Sequence, residues 1–240
     1  MPDHRPRLPS LRHPPIAFAH RGARAHAPEN TLESFRLALR LGATGLETDL
    51  WLTADGEVVL DHDGVVGRVR RRPVSSLRRV DLASHIPALG DLYASCGTGF
   101  ELSVDVKDEA AAEAAVAVAR AAGEGAVDRL WLCHPDWERA AAWRRRFPDA
   151  RVVNSTRLRG MRGGPERRAA ALASAGIDAV NLHHSDWSGG LTTLFHRFEV
   201  LAFGWDAQYE RILDGLVDMG IDGMYSDHVD RMVDAIARYT

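Results

Sequence analysis

Lysine is almost missing from this chain. Of its 30 basic residues 29 are arginine, and Lys107 is the one lysine. Against so strong a usage bias, a surviving Lys marks a position where a compact ammonium differs from a planar guanidinium. Cysteine is equally scarce. Cys96 and Cys133 make neither a disulfide framework nor a zinc site, and they read as small buried residues of a reducing compartment. No run approaches the roughly 18 apolar residues a membrane helix needs, so stable membrane insertion is not expected. The net charge is only -3, which argues against a nucleic-acid partner of the basic-patch kind. Met1–Pro15 carries Arg, His and Pro but no apolar h-region, and reads as a tail and not a signal peptide. Cytoplasmic residence is the expectation.

What is present is enough for a complete core. The chain has 240 residues, 45% of them hydrophobic, and no linker rich in Ser, Gly or Pro divides it. From residue 16 onward apolar strand-like runs alternate with helical patterns. Ile16–His20, Gly45–Leu52, Phe100–Val106, Leu130–Cys133, Val152–Asn154, Ala179–Leu182, Val200–Trp205 and Gly223–Ser226 read as strands. Thr31–Leu41, Ala110–Ala122, Pro135–Phe147, Glu166–Ala175, Leu191–Phe198, Ala207–Met219 and His228–Tyr239 read as helices, with Pro135 at a permitted early position. Glu57–His62 follows an Ala54–Gly56 turn and makes a short hairpin with the second strand. Eight βα units in 16–240 point to one single-domain α/β (β/α)₈ TIM barrel. An open doubly wound sheet is the rival, but no GxGxxG follows the first strand. Gly64–His85 interrupts the rhythm with Arg68, Arg70, Arg71, Arg72, Arg78 and Arg79. This arginine-rich excursion is either a solvated face or a basic lip that attracts an anionic substrate.

Barrels place reactive groups at the C-terminal ends of strands. His20 and Arg21 end the first, Glu47 and Asp49 lie on the second, and Asp61, His62 and Asp63 end the hairpin. Asp105 and Lys107 lie on the third, Trp205 and Asp206 end the seventh, and Ser226 and Asp227 the eighth. Residues two apart on a strand share a face, so Glu47 and Asp49 point the same way. Two carboxylates without partners do not pack against helices, which favours the barrel mouth. Three converging carboxylates suit a hard divalent cation, Mg²⁺ or Ca²⁺, with a metal-free salt-bridge network through Arg21 and Lys107 as the alternative. Two histidines beside such a site can give and take a proton, and Arg21 offers a fork for a phosphate. Together these groups describe phosphoryl chemistry on an anionic diester. His134, His183 and His184 are weaker candidates for the pocket wall. His4, His13 and His26 are assigned no role.

The residues also match a known pattern. His20-Arg21-Gly22, Pro28-Glu29-Asn30-Thr31, Glu47-x-Asp49, Thr53-x-Asp55-Gly56 and His62-Asp63, in this order and spacing, resemble the glycerophosphodiester phosphodiesterase family. Ile86-Pro87-Ala88-Leu89, Asp105-Val106-Lys107, Trp205 and Ser226-Asp227 extend the resemblance through about residue 235. It implies a TIM barrel that hydrolyses small anionic glycerophosphodiesters to an alcohol and sn-glycerol 3-phosphate. His20 and His62 would be the general acid and base, and Glu47, Asp49 and Asp105 the ligands of one divalent cation, Mg²⁺ or Ca²⁺, with Mn²⁺ an option. Arg21 and Lys107 would hold the phosphate, Glu29 would belong to the same phosphate- and substrate-binding set or lie just behind it, and Trp205 would pack against the glycerol or its pocket. Three positions depart from the family. Asp105 stands where Glu is usual, Asp206 follows the late Trp in place of Thr, and the segment after His62-Asp63 is rich in Arg. A lysophospholipase D-like diesterase and a non-catalytic binding member are the alternatives. In isolation, Lys107 at a strand end also fits a Schiff-base enzyme.

Overall fold

The computed structural model describes residues 7–67 and 70–239. His4 of the tail and Arg68 of the arginine-rich excursion lie outside them. The elements run β1 (Ile16–His20), α1 (Leu32–Arg40), β2 (Gly45–Leu52), β3 (Val58–Leu60), β4 (Val65–Val66), β5 (Arg72–Pro73), α2 (Leu89–Cys96), β6 (Glu101–Val106) and α3 (Ala110–Ala122). They continue with β7 (Leu130–His134), α4 (Trp137–Arg146), β8 (Arg151–Ser155), α5 (Pro165–Ser174), β9 (Ala179–His183), α6 (Gly189–His196), β10 (Leu201–Trp205), α7 (Glu210–Asp218), β11 (Gly223–Ser226) and α8 (Val229–Ala237).

Eight parallel strands follow one another as β1, β2, β6, β7, β8, β9, β10 and β11, and β11 pairs back onto β1. The circle is closed, so the fold is the TIM barrel and not the open sheet. β3 lies antiparallel on the upper half of β2, with Leu50 opposite Leu60, as the hairpin pattern predicts. The excursion carries its own two-stranded ladder, β4 with β5, and a small cluster of Val59, Val74, Leu77, Leu82 and Ile86. Arg70, Arg71, Arg72 and Arg78 of the excursion are exposed.

Two sequence readings are corrected. Asp136 caps α4 by accepting from Glu138 N, so Pro135 precedes the helix and takes no part in its first turn. The helix α2 was not anticipated. It is short, it holds Gly90, and its N-cap Ala88 has no capping side chain. Asp91 instead accepts from Ala88 N and closes the first turn.

The barrel separates two apolar regions. The larger one lies between strands and helices and includes Phe35, Leu46, Leu50, Leu102, Leu132, Leu182 and Val217, all essentially inaccessible. The lumen holds Ile16, Phe18, Trp131, Cys133, Val153, Ala179, Phe203 and Tyr225. Phe18 stacks on Tyr225 at 4.6 Å, and Phe203 meets Phe18 and Trp131 edge-on at 5.5 and 5.2 Å. Glycine makes room for this aromatic layer: a Cβ at Gly45 would lie 2.5 Å from the Phe18 ring. Below the plug, Asp222 is fully buried and accepts from Leu11 N, Arg12 N, Ala202 N and His196 Nε2 at 2.7–2.9 Å. It thereby ties the segment before β1 to the barrel floor. Among the described residues, no helix is long and apolar enough to cross a membrane.

Candidate active site

The period-2 alternation that points Phe18 into the lumen also points His20 there, one layer higher. Strand register then assembles the site. His20 pairs with Glu47 between β1 and β2, and Asp49 pairs with Asp105 between β2 and β6. Above the aromatic plug these side chains open into a cavity of about 580 Å³. His20, Arg21, Glu47, Asp49, His62, Asp105, Lys107 and Trp205 all line it. Glu29 does not belong to the wall. It pairs with Arg21 at 3.1 Å and also with Arg24, and so acts as a counter-ion behind them.

The β1–α1 loop is tightly folded. Arg21 and Asn30 adopt positive φ of 53° and 54°, and Gly22 of 81°. A Cβ at Gly22 would lie 2.3 Å from Ser34 Oγ and 2.9 Å from the Ser34 carbonyl carbon, so only glycine fits. This turn aims Arg21 N at Glu47 Oε2, 3.0 Å away. Thr31 caps α1 by accepting from Ser34 N, and Asn30 Oδ1 accepts from Thr48 Oγ1 at 2.8 Å. The Pro28–Thr31 segment therefore shapes the loop and does not touch the cavity.

Glu47 and Asp49 are 6% and 3% exposed. Burial, eased by His20 but reinforced by Asp49 and Asp105, pushes the Glu47 carboxyl up to about 8. Burial likewise raises Asp49, despite the opposing charge of Lys107. Lys107 Nζ lies 3.0 Å from both Asp49 Oδ1 and Asp105 Oδ2. Burial works against its ammonium, yet Asp105 and Asp49 hold its pKa above the ordinary lysine value. This pairing with two carboxylates opposes the free amine that a Schiff base needs.

Three carboxylates still face two cations here. Asp49 Oδ2 is buried without a hydrogen bond, as is Arg21 Nε, which faces it as an ion pair at 3.7 Å. Oxygens of Glu47, Asp49 and Asp105 lie within 4.8 Å of one another. An all-oxygen donor set whose buried Asp49 Oδ2 accepts no hydrogen bond fits a hard divalent cation. Arg21 and Lys107 line the cavity beside this trio.

Each candidate histidine has a carboxylate on Nδ1. Asp227 Oδ1 lies 2.6 Å from His20 Nδ1, and Asp63 Oδ1 lies 2.9 Å from His62 Nδ1. Burial opposes charge on His20, but Glu47 and the Asp227 hydrogen bond outweigh it and raise its pKa above 6.5. Burial also opposes charge on Asp227, but the His20 hydrogen bond prevails and lowers its pKa. Asp63 is lowered first by its hydrogen bond to His62. Asp61 is raised by burial and accepts from Gly64 N, so it braces the loop and does not orient His62.

Asp227 stands at a strand end in the sequence, but its partnership with His20 spans 207 positions and only the closed barrel shows it. Gln208 fixes it by accepting from Asp227 N and Ser226 Oγ. The far wall was not foreseen either. Ser155, Thr156, Arg157, Arg159 and Asn181 line the cavity from β8, β9 and the β8–α5 loop. His183 pairs with Asp206 at 3.2 Å and packs edge-on against Trp205, whereas His134 hydrogen-bonds its own turn.

Comparison with known proteins agrees with this geometry. Residues 20–113 match the model of the Glycerophosphoryl diester phosphodiesterase family. A glycerophosphodiester phosphodiesterase of Caldanaerobacter subterraneus subsp. tengcongensis is 47% identical over 53 residues, 22% of either chain. Human glycerophosphodiester phosphodiesterase 1 is 54% identical over 52 residues, 22% of this chain and 16% of that protein. The matched stretch thus spans less than a quarter of these curated relatives. Solved structures resemble the whole barrel. A glycerophosphodiester phosphodiesterase of Thermotoga maritima superposes with TM-score 0.80 at 20% identity, covering 92% of this chain and 97% of its own. An Oleispira antarctica phosphodiesterase in complex with the product sn-glycerol-3-phosphate gives TM-score 0.78 at 20% identity, covering 93% and 97%. Residues 20–113 thus resemble the Glycerophosphoryl diester phosphodiesterase family, and the whole chain shares the barrel fold of these solved structures.

Proposed function

We propose that the protein is an enzyme that hydrolyses small anionic glycerophosphodiesters to an alcohol and sn-glycerol 3-phosphate, with one divalent cation, Mg²⁺ or Ca²⁺, held by Glu47, Asp49 and Asp105. The observation that carries this reading is a pair of histidines, each hydrogen-bonded to an aspartate through Nδ1, lining one cavity with the carboxylate trio. With Nδ1 engaged, each imidazole has Nε2 left for proton transfer. The cation would supply charge stabilisation at the phosphoryl oxygens and lower the pKa of a hydroxyl or water nearby.

The protein's own groups do the rest. Arg21 and Lys107 orient the phosphate, and their attraction grows as negative charge builds on its oxygens. One histidine takes a proton from the attacking water, or from a substrate hydroxyl whose cyclic ester water then opens, and the other returns a proton to the leaving alkoxide. Asp227 keeps His20 oriented, as Asp63 does for His62. Trp205, with one face toward Arg157 and His183 against its edge, forms a rigid side to the pocket. The catalytic domain is residues 16–240, and the cytoplasm is its expected location.

The test is release of glycerol 3-phosphate from soluble glycerophosphodiesters with Mg²⁺, Ca²⁺, Mn²⁺ or EDTA, beside His20→Ala. Release that both EDTA and His20→Ala abolish supports the reading. No release with any metal, or release indifferent to EDTA, overturns it.

A further inference from the structure

We propose that the departing alcohol carries an anionic group of its own, a phosphate or a carboxylate, and that Arg159 selects it. The inference rests on the function proposed above and adds a substrate class to it.

Five cations line the cavity: Arg21, Arg24, Lys107, Arg157 and Arg159. Four have carboxylate partners. Arg21 pairs with Glu29 and Asp49, Arg24 with Glu29 and Asp227, Lys107 with Asp49 and Asp105, and Arg157 with Asp186. Among the described residues Arg159 alone of the five has none. Its place in the barrel matters. β8, which leads into its loop, is four strands from β1 in either direction around the ring. A diester held by Arg21 and Lys107 therefore sends one arm across the cavity toward Arg159.

The same wall disfavours a cationic arm. A quaternary ammonium wants an open aromatic face. The Trp205 ring already has the Arg157 guanidinium over it at 5.6 Å, and Asp186 holds that guanidinium in place through Nε at 2.7 Å. Asp206 lies nearby, but His183 and Gln208 engage its carboxylate. Asn181 Oδ1 is buried without a hydrogen bond, next to Ser155, and both residues line the cavity. That acceptor suits a hydroxyl donor on the same arm. Beyond Arg159 the wall continues, past Thr156 and Gly160, into a neighbouring groove where Arg162, Arg167 and Arg168 stand with Asp136 and Glu138. A hydroxylated, negatively charged arm matches this surface, whereas choline or ethanolamine meets like charge.

The experiment compares kcat/KM for four diesters at low ionic strength. Glycerophosphocholine has a cationic leaving alcohol and glycerophosphoglycerol a neutral one. Bis(glycerophospho)glycerol brings a phosphate anion, and the glycerophosphodiester of glycerate a carboxylate. The expected ratio of either anionic substrate to the neutral one is about three- to fivefold, the scale of an exposed ion pair. It shrinks as salt is added. Arg159→Ala brings the ratio to about one, Arg159→Lys retains most of it, and Arg159→Glu inverts it in favour of glycerophosphocholine. The two anionic arms show whether phosphate or carboxylate is preferred. Equal ratios in wild type and Arg159→Glu, with turnover intact, overturn this inference alone. No turnover of any substrate by the wild type overturns the proposed function with it.

Discussion

Asp227→Asn isolates the part of the site that acts through His20. The substitution keeps the side-chain shape but removes the charge 2.6 Å from Nδ1. Side chains of His20 and Asp227 are 28% and 24% exposed, so solvent screens the pair only in part. A hydrogen bond to a charged group contributes about 1.5–3 kcal/mol. At about 1.4 kcal/mol per decade, losing it from the imidazolium costs roughly ten- to a hundredfold in kcat. The sign of the pH effect follows from the pair of influences on His20. Burial lowers its pKa and Asp227 raises it, so the variant imidazole titrates at lower pH than the wild type. The assay is glycerol 3-phosphate release at saturating metal and substrate between about pH 5 and 9, on Asp227→Asn, His20→Ala and the double variant. The expected result is a fall in kcat with little change in KM, a limb moved to lower pH, and a double variant no slower than His20→Ala. An Asp227→Asn enzyme with unchanged kcat and unmoved limbs refutes the positioning role. So does a double variant whose loss is the product of the two single losses.

Other perturbations probe the metal cradle and the floor. Asp105 is more exposed than its two partners, so Asp105→Glu has room for its extra methylene; it is expected to tighten divalent-cation binding in calorimetry, and weaker binding would contradict the assignment. In the metal-free protein Glu47 keeps its proton up to about pH 8, whereas the unfolded chain releases it near 4.5, so metal-free stability falls as pH rises through that window. Metal displaces this proton. The gain in Tm on adding Mg²⁺ or Ca²⁺ therefore grows from pH 5 to 8, and a flat gain, or one equally steep in Glu47→Gln, counts against the trio as ligands. Asp222→Ala leaves four donors without their shared acceptor, Ala202 N among them buried, and should cost about 1–3 kcal/mol in urea unfolding, with Asp222→Asn intermediate. Protease cleavage within Leu8–Arg12 should rise in parallel, and equal stability of all three proteins would show the floor contributes nothing.

Much of the barrel is legible because its strands are short, fully buried and bounded by turns. Ile16–His20, Gly45–Leu52 and Gly223–Ser226 fall where the apolar runs fall, and Ala110–Ala122 where strong helix formers crowd. The Glu47–Asp49 spacing alone predicts a shared face, and the structure places both at the mouth. Legibility fails where an element depends on partners remote in sequence. α2 has weak local signals and is held by packing of Leu89 and Leu92 into the core. Glu29 was expected at or just behind the phosphate-binding groups, but its separation from the cavity wall is a matter of loop path. Arg157 and Arg159 read as ordinary loop arginines until ring closure brings β8 opposite β1.

The aromatic plug closes the site from below. Phe18, Phe203, Tyr225 and Trp131 seal the lumen beneath Glu47 and Asp49, so solvent has no rear approach. Under the proposed function, a diester bound above this plug would lie between it and bulk water. An attacking water would then be in place before the substrate or arrive from the barrel mouth as the alcohol departs. The first case leads to direct hydrolysis in one displacement, the second to attack by the substrate's own hydroxyl with hydrolysis afterwards. With the floor closed, the choice between the two routes becomes a question of water traffic at the barrel mouth.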